Sequence, residues 1–361
     1  MHRRSLFVFP ALLSLLSLTG APAAWAEDEY RVSDPITHEN LTVYFVHKAS
    51  NAGRVIPLVL VVPGPVPLTL DEALNAKSVR VLETGRVNEL SIENLGDHEV
   101  FVQSGDIVKG GQQDRVLSVS LVLPPHSGVI PITAFCVEQG RWSKRGYEDA
   151  QRFNSAAASL PSRAARLAIQ PAETGLLNSP ASAYGEPVAL AAQQRSVWNN
   201  VASAQRSLSR ALDESVASPQ SPTSLQLALE NEKLKKVQEG YVAALKAAGE
   251  NEADIVGYAF AINGKIDSVD VYPSNALFRK MWGRLLTANV TEAIATKDGA
   301  ATAAPPSAEI AAFLKAAESG AATKKTLTKS VELEIRANDK SVYLETRRAD
   351  GSWVHRSYIA K

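Results

Sequence analysis

Two short polar clusters hold most of the side chains in this sequence that could do chemistry. The first runs Lys109-Gly-Gly-Gln-Gln-Asp-Arg115 and the second runs Glu138-Gln-Gly-Arg-Trp142. Glycines beside cations can present backbone N–H groups to an anion, and a planar guanidinium can hold a carboxylate or phosphate with paired hydrogen bonds. We therefore expect a ligand-binding site made of Lys109, Gly110, Gly111, Gln112, Gln113, Arg115, Gln139, Arg141 and Trp142.

A structural use of the same residues is an open alternative. The two glycines could serve a turn or bulge that needs positive φ. Arg141 could pair with Asp114 or Glu138 and clamp the two clusters together, without any ligand. Trp142 could cap a buried core instead of stacking on a ligand ring. The sequence alone does not decide between these uses.

Asp114 and Glu138 are the candidates for acid–base catalysis, since paired carboxyl groups in different environments can act as acid and base. That role requires proximity, which a sequence cannot show. Cys136 is the only cysteine, which excludes an intramolecular disulfide. Its apolar neighbours indicate a buried, inert thiol and not a nucleophile.

Neither a metal site nor a cofactor is expected. The histidines His38, His47, His98, His126 and His355 are scattered without the spacing of metal ligands, and we expect them on the surface. The sequence has no phosphate-binding G-x-x-x-x-G-K-[ST], no dinucleotide-binding G-x-G-x-x-G and no G-x-S-x-G elbow, which argues against the corresponding nucleotide and hydrolase folds.

Two alternating apolar runs must position the polar clusters. The first is Leu117/Val119/Leu121/Leu123 and the second is Val129 to Phe135, with Pro-Pro-His-Ser-Gly between them. Alternation is typical of half-buried strands, and the intervening residues favour a turn. If the strands form a hairpin, the residues before the first and after the second lie at the same end. The two clusters would then meet.

The remaining patterns predict an α+β fold with many short antiparallel strands before a helix–hairpin–helix portion. Strands are expected at 41–46, 56–62, 79–82, 90–92 and 100–102, and Thr69 with Glu72 forms a capping box. Asn263-Gly264 predicts a tight hairpin, and Ser274 is the expected N-cap of a helix. The predicted units are a signal peptide at 1–26, a β-sandwich-like domain at 27–142, an irregular segment at 143–190, a helical portion with a β-hairpin at 191–296, a linker at 297–306, and a short helix with a small antiparallel sheet at 307–361.

The first residues have the pattern of a secretory signal peptide. Arg3 and Arg4 precede an apolar run at 6–18, and Ala24-Trp25-Ala26 follows with small residues at both ends. We expect cleavage after Ala26 and a periplasmic or secreted protein. A membrane anchor is the weaker alternative, because a spanning helix needs about 20 apolar residues. After cleavage no membrane span is expected, and the net charge of +0 disfavours nucleic acid as a partner.

The two polar clusters, read as Lys109 to Arg115 and Cys136 to Trp142, resemble a known domain family. With Asn263-Gly-Lys265, Leu277-Phe278 and Trp282, they are similar to the ARG and Rhodanese-Phosphatase-superfamily-associated Protein domain, where ARG stands for ADP-ribosylglycohydrolase. The resemblance spans most of 36–295, and the chain after about 300 looks like an addition. It implies a setting near ADP-ribose or phosphorylated small molecules, and it carries over no catalytic residues.

Two functions remain open from the sequence. The first is an exported, non-enzymatic module that binds a small anionic ligand or a protein partner. The second is a hydrolase that uses Asp114 and Glu138 on a phosphorylated or ADP-ribose-like substrate. The lack of a metal, nucleophile or phosphate-binding motif favours the first.

Overall fold

A computed structural model describes residues 30–49, 65–170, 188–299 and 302–361. The predicted signal peptide and the predicted strand at 56–62 lie outside these residues. The fold is α+β, as predicted, with mostly antiparallel sheets and several helices. In the described part of the chain no helix combines the length and the apolar character that crossing a bilayer requires.

Strands β1 to β18 alternate irregularly with helices α1 to α7. The strands are, in order, Tyr30–Val32, Ile36–His38, Leu41–Lys48, Leu68–Thr69, Val79–Glu83, Glu89–Asn94, Val100–Val102, Asp106–Gly110, Arg115–Leu117, Leu121–Leu123, Ile130–Cys136, Phe153–Ser159, Ile255–Ile262, Lys265–Val271, Ala322–Thr328, Val331–Ala337, Ser341–Arg348 and Trp353–Ala360. The α-helices are Leu70–Asn75, Arg163–Ala168, Val188–Leu212, Leu225–Leu229, Glu232–Leu245, Asn275–Ala295 and Ser307–Glu318. A 3₁₀ helix, Lys246–Glu250, continues α5.

Several local signals form as the sequence predicts. The Thr69 hydroxyl accepts the Glu72 backbone N–H, and the Glu72 carboxylate accepts the Thr69 N–H, so the capping box opens α1. Asn263 and Gly264 have φ of 49° and 70° and join β13 to β14. Ser274 caps α6 by accepting the Leu277 N–H.

The largest sheet among the described residues combines strands from 30–48, 255–271 and 322–360. Its order is β1-β3-β13-β14-β18-β17-β16-β15, with β2 also paired to β3. The predicted division into consecutive units is therefore not confirmed, because strand β3 pairs with β13 and the last strand pairs with β14. The strands at 331–360 complete this sheet instead of forming a separate small one.

The predicted hairpin is only half formed. Residues Arg115–Leu117 pair with Ala134–Cys136, but Leu121–Leu123 pairs with Val100–Val102 in another sheet. The chain crosses between sheets at 118–120, where the Ser120 hydroxyl accepts the Ser104 N–H. Apolar alternation continues through this crossing because Leu117, Val119, Leu121 and Leu123 all belong to one core cluster. The pattern therefore resembled one strand.

The segment predicted to be irregular at 143–190 contains regular structure where it is described. Strand β12 pairs with β8, and helix α2 follows it with Ser162 as its N-cap. The prediction was wrong here because β12 is built largely of alanine and serine, which give no apolar alternation. Pairing with β8 supplies the structure that local sequence does not.

The largest sheet carries a helix layer on each face. Helices α5 and α6 pack on one face through aromatic side chains, including Phe45, Phe260 and Trp282, all of them buried. Helix α7 packs on the other face through Ile310 against Tyr44. Strands β8, β9 and β11 pack against α2 and α3. This last layer positions the two polar clusters.

Candidate functional site

The two polar clusters meet, because the pairing of β9 with β11 brings their ends together. Arg115 lies opposite Cys136, and the Val137 N–H donates to the Asp114 carbonyl at 3.0 Å. Arg141 also reaches back to donate to the Gly111 carbonyl at 3.4 Å. Cys136 is fully buried, as predicted. The half of the hairpin that forms is the half that produces this convergence.

Asp114 is completely buried and its carboxylate is fully engaged. Arg145 donates to its two oxygens at 2.9 and 3.1 Å, which is the bidentate arrangement of a strong ion pair. The Ser224 hydroxyl donates at 2.9 Å and the Gly110 backbone N–H at 3.0 Å. These four hydrogen bonds leave the carboxylate no contact with solvent.

The Glu138 carboxylate is likewise buried and accepts several hydrogen bonds. It is fully buried, and Arg141 donates to its carboxylate from Nε at 2.8 Å and lies at 2.6 Å through its second nitrogen. The Asp114 N–H and the Ser221 hydroxyl also donate to it. Burial raises the pKa of Glu138, but the hydrogen bonds from Arg141 and Ser221 outweigh this effect and hold the pKa below its usual range.

The two glycines serve the fold directly. Gly110 and Gly111 have φ of 121° and 55°, which favours residues without a Cβ. A Cβ on Gly111 would lie 2.3 Å from a ring carbon of Phe153. Both N–H groups donate within the protein, from Gly110 to Asp114 and from Gly111 to the Asp149 and Arg152 carbonyls. The turn that the structural alternative requires is therefore present.

The other predicted cations have their own partners. Arg115 is fully buried and lies 3.3 Å from Glu83, which also accepts the Gln112 N–H at 2.8 Å. Lys109 pairs with Glu230 at 2.6 Å. Gln113 is buried, and its carbonyl accepts a hydrogen bond from Arg115, whereas Gln139 exchanges backbone hydrogen bonds with the Thr223 hydroxyl. Arg115 and Arg141 thus face different carboxylates.

Arg145 belongs to this network although it lies outside both clusters. It connects Asp114 to Glu148, which it contacts at 2.8 Å. With Arg141 it fastens residues 139–149, which we call the aromatic loop, to the buried carboxylates. The loop exposes Trp142 by 48% and Tyr147 completely. The interpretation of Trp142 as a buried cap is wrong, because the side chain is exposed; its ring lies 5.4 Å from the Arg115 guanidinium carbon.

A second buried network was not predicted. Asp270 is fully buried and accepts hydrogen bonds from Tyr258 at 2.5 Å and Arg166 at 3.2 Å, with His355 Nε2 at 3.0 Å. The other ring nitrogen of His355 lies 3.1 Å from the Ser120 hydroxyl. Burial raises the pKa of Asp270, but Arg166 and His355 outweigh it and bring the pKa well below its usual range. The sequence did contain a signal for this network, because Asp270 lies between Val269 and Val271 in a predicted strand.

The histidine predictions hold only in part. His126 is exposed, as expected, whereas His355 and His47 are buried. His47 Nδ1 lies 3.1 Å from Asp254 and 3.7 Å from Glu252, and this group has the donors that a divalent metal needs. Arg31 approaches Asp254 at 3.9 Å and already supplies positive charge there.

No curated protein and no solved structure is significantly similar to this chain. One domain-family model matches residues 29–359. The match includes the C-terminal strands, so the interpretation of the chain after 300 as an addition is wrong. Those strands complete the sheet that β3 and β13 begin, which explains why one family pattern covers them all. The chain therefore belongs to the ARG and Rhodanese-Phosphatase-superfamily-associated Protein domain family.

Proposed function

We propose that this chain is an exported, non-enzymatic module that binds a protein partner through the aromatic loop. The observation that supports this most is the contrast within residues 139–149. Trp142 and Tyr147 are exposed, while Arg145 is buried and Arg141 is half-buried, both in ion pairs with buried carboxylates. Exposed large aromatic side chains are typical of binding hot spots. Ion pairs that already hold the loop reduce the entropy lost on binding.

The charge beside the aromatic side chains favours an acidic partner surface. Lys144 and Arg152 are exposed, against one exposed carboxylate, Asp149. Rim charges of this kind steer association and select partners more than they add affinity. Apart from Trp142, the predicted ligand-binding residues then support the loop, and the exposed face with Trp142 and Tyr147 makes the contact.

The hydrolase alternative receives less support from the geometry. A general acid or base must come within hydrogen-bond reach of its substrate. Asp114 and Glu138 are both fully buried and hydrogen-bonded to arginines. Binding of a small anion at the glycine turn is also disfavoured, because the Gly110 and Gly111 N–H groups already donate to acceptors within the protein.

Site-specific crosslinking tests the binding surface. A photo-crosslinking amino acid replaces Trp142 or Tyr147 in cells that produce the protein, and replaces Val129 as control. Val129 is 61% exposed at the opposite end of β11. We expect the same discrete adduct from positions 142 and 147 and none from 129, with less adduct after Lys144→Glu. Equal adducts from all three positions, or none from the loop, would contradict the proposal. The proposal would also be contradicted if the wild type released ADP-ribose or phosphate from a substrate and Asp114→Asn did not.

The export part of the proposal rests on the sequence of the first residues. The basic pair, the apolar run and Ala24-Trp25-Ala26 together favour cleavage after Ala26. N-terminal sequencing of protein purified from the producing cells should begin at Glu27. Recovery of a cytosolic protein that still begins at Met1 would rule export out.

A further inference from the structure

A cleft of about 180 Å³ lies between helices α3 and α6, away from the aromatic loop. Its α3 side presents Asn200, Ser203 and Ser207, and its α6 side presents Thr291 and Glu292. The volume exceeds the roughly 150 Å³ of an engineered apolar cavity that binds benzene. The cleft can therefore hold a molecule of one small ring.

The polar wall of this cleft is unusual for two packed helices. Helix α3 buries Val197, Val201 and Leu208, as an amphipathic helix should. Asn200, Ser203 and Ser207 recur at helical spacing on a neighbouring stripe that faces α6 across the cleft. Within the described residues, the hydroxyls of Ser203 and Ser207 make no hydrogen bond. They can serve a hydroxylated molecule in the cleft.

Glu292 gives the cleft its charge. Its carboxylate accepts the Arg163 backbone N–H at 2.7 Å, yet no cation in the described part of the chain lies within ion-pair distance of it. The nearby guanidinium groups have other partners, since Arg163 contacts Asp267 at 3.4 Å and Arg166 contacts Asp270 at 3.2 Å. Burial, together with Asp267, raises the pKa of Glu292 well above its usual range, and the positive charges of Arg163 and Arg166 offset this only in part. The carboxylate therefore has no ion-pair partner among the described residues.

We propose that this cleft binds a small hydroxylated ammonium ion of amino-sugar size. The ammonium group pairs with the Glu292 carboxylate, and Asn200, Ser203 and Ser207 take the hydroxyl groups. Burial makes the charged form of Glu292 costly, and a cation bound in the cleft offsets that cost. A neutral molecule of the same size gains the hydroxyl contacts but not the ion pair.

Glucosamine and glucose are the probes, because they are matched in size and differ in one ammonium group. Calorimetric titration of the intact protein should show glucosamine binding at least tenfold tighter than glucose. Glu292→Gln keeps an acceptor for the Arg163 N–H and removes the charge, so it should abolish the difference. Glu39→Gln is the matched control, since Glu39 is an exposed carboxylate that pairs with Lys297, and it should leave the tenfold preference unchanged.

Ser207→Leu is the second variant, because it fills the cleft without altering Glu292. It should abolish binding of both sugars while the melting temperature stays near that of the wild type. The proposal is overturned if the wild type binds neither sugar, if it binds both equally, or if the preference survives Glu292→Gln. Crosslinking through the aromatic loop reports on a separate surface, so either proposal can fail alone.

Discussion

Replacing Asp270 with asparagine is expected to lower the free energy of unfolding by about 3–5 kcal/mol. The variant leaves Arg166 buried without its carboxylate partner and weakens the hydrogen bonds with His355 and Tyr258. Breaking a buried ion pair from one side costs this much because the remaining charge stays desolvated. Equilibrium unfolding in urea measures the change.

Asp97→Asn is the matched control. Asp97 pairs with His126 at 2.8 Å, but both side chains are mostly exposed, so a change of about 0–1 kcal/mol is expected.

The effect of Asp270→Asn should also depend on pH. Because folding lowers the pKa of Asp270, its contribution is present above the unfolded value of 3.8 and fades as the pH falls below it. A cost of Asp270→Asn no larger than that of the control would contradict the buried network.

Arg145→Met should cost about 3 kcal/mol and release the aromatic loop. Methionine keeps much of the buried stem, but Asp114 loses its bidentate partner and Glu148 loses its contact at 2.8 Å. We expect limited proteolysis to cut within residues 139–149 much faster than in the wild type. Urea unfolding and mass spectrometry of the fragments measure the two effects.

Lys144→Met is the matched control, since it also replaces a cationic side chain by methionine, but at an exposed position of the aromatic loop. It should change the free energy of unfolding by less than about 0.5 kcal/mol and leave the cleavage rate in the loop unaltered. If proteolysis cut the loop equally slowly in both variants, Arg145 would not anchor it. The interpretation of the buried carboxylates as a support would then be lost.

Short-range signals carried most of what the sequence predicted correctly. The capping box at Thr69, the turn at Asn263-Gly264 and the N-cap at Ser274 each depend on residues within four positions of one another. The meeting of the two polar clusters was also predictable, because antiparallel pairing fixes which residues lie opposite. Only the pairing of Arg115–Leu117 was needed for it, and that part of the hairpin forms.

Long-range partners were not predictable from the same patterns. Arg115 finds Glu83 and Asp114 finds Arg145, although each had candidate partners nearer in sequence. Asp270 and His355 come together only because β14 and β18 are neighbours. Strand β12 shows the same limit, since its alanines and serines acquire strand structure from β8 and not from their own propensity.

The sheet that pairs β14 with β18 also has a kinetic consequence. Strand β14 gains its second neighbour only from β18, which ends at Ala360. The paired residues are far apart in sequence, since Ser268 lies opposite Ile359. Pairing at such a separation must close a long loop, which slows folding. Until β18 arrives, β14 presents an unpaired edge to which another extended strand can add.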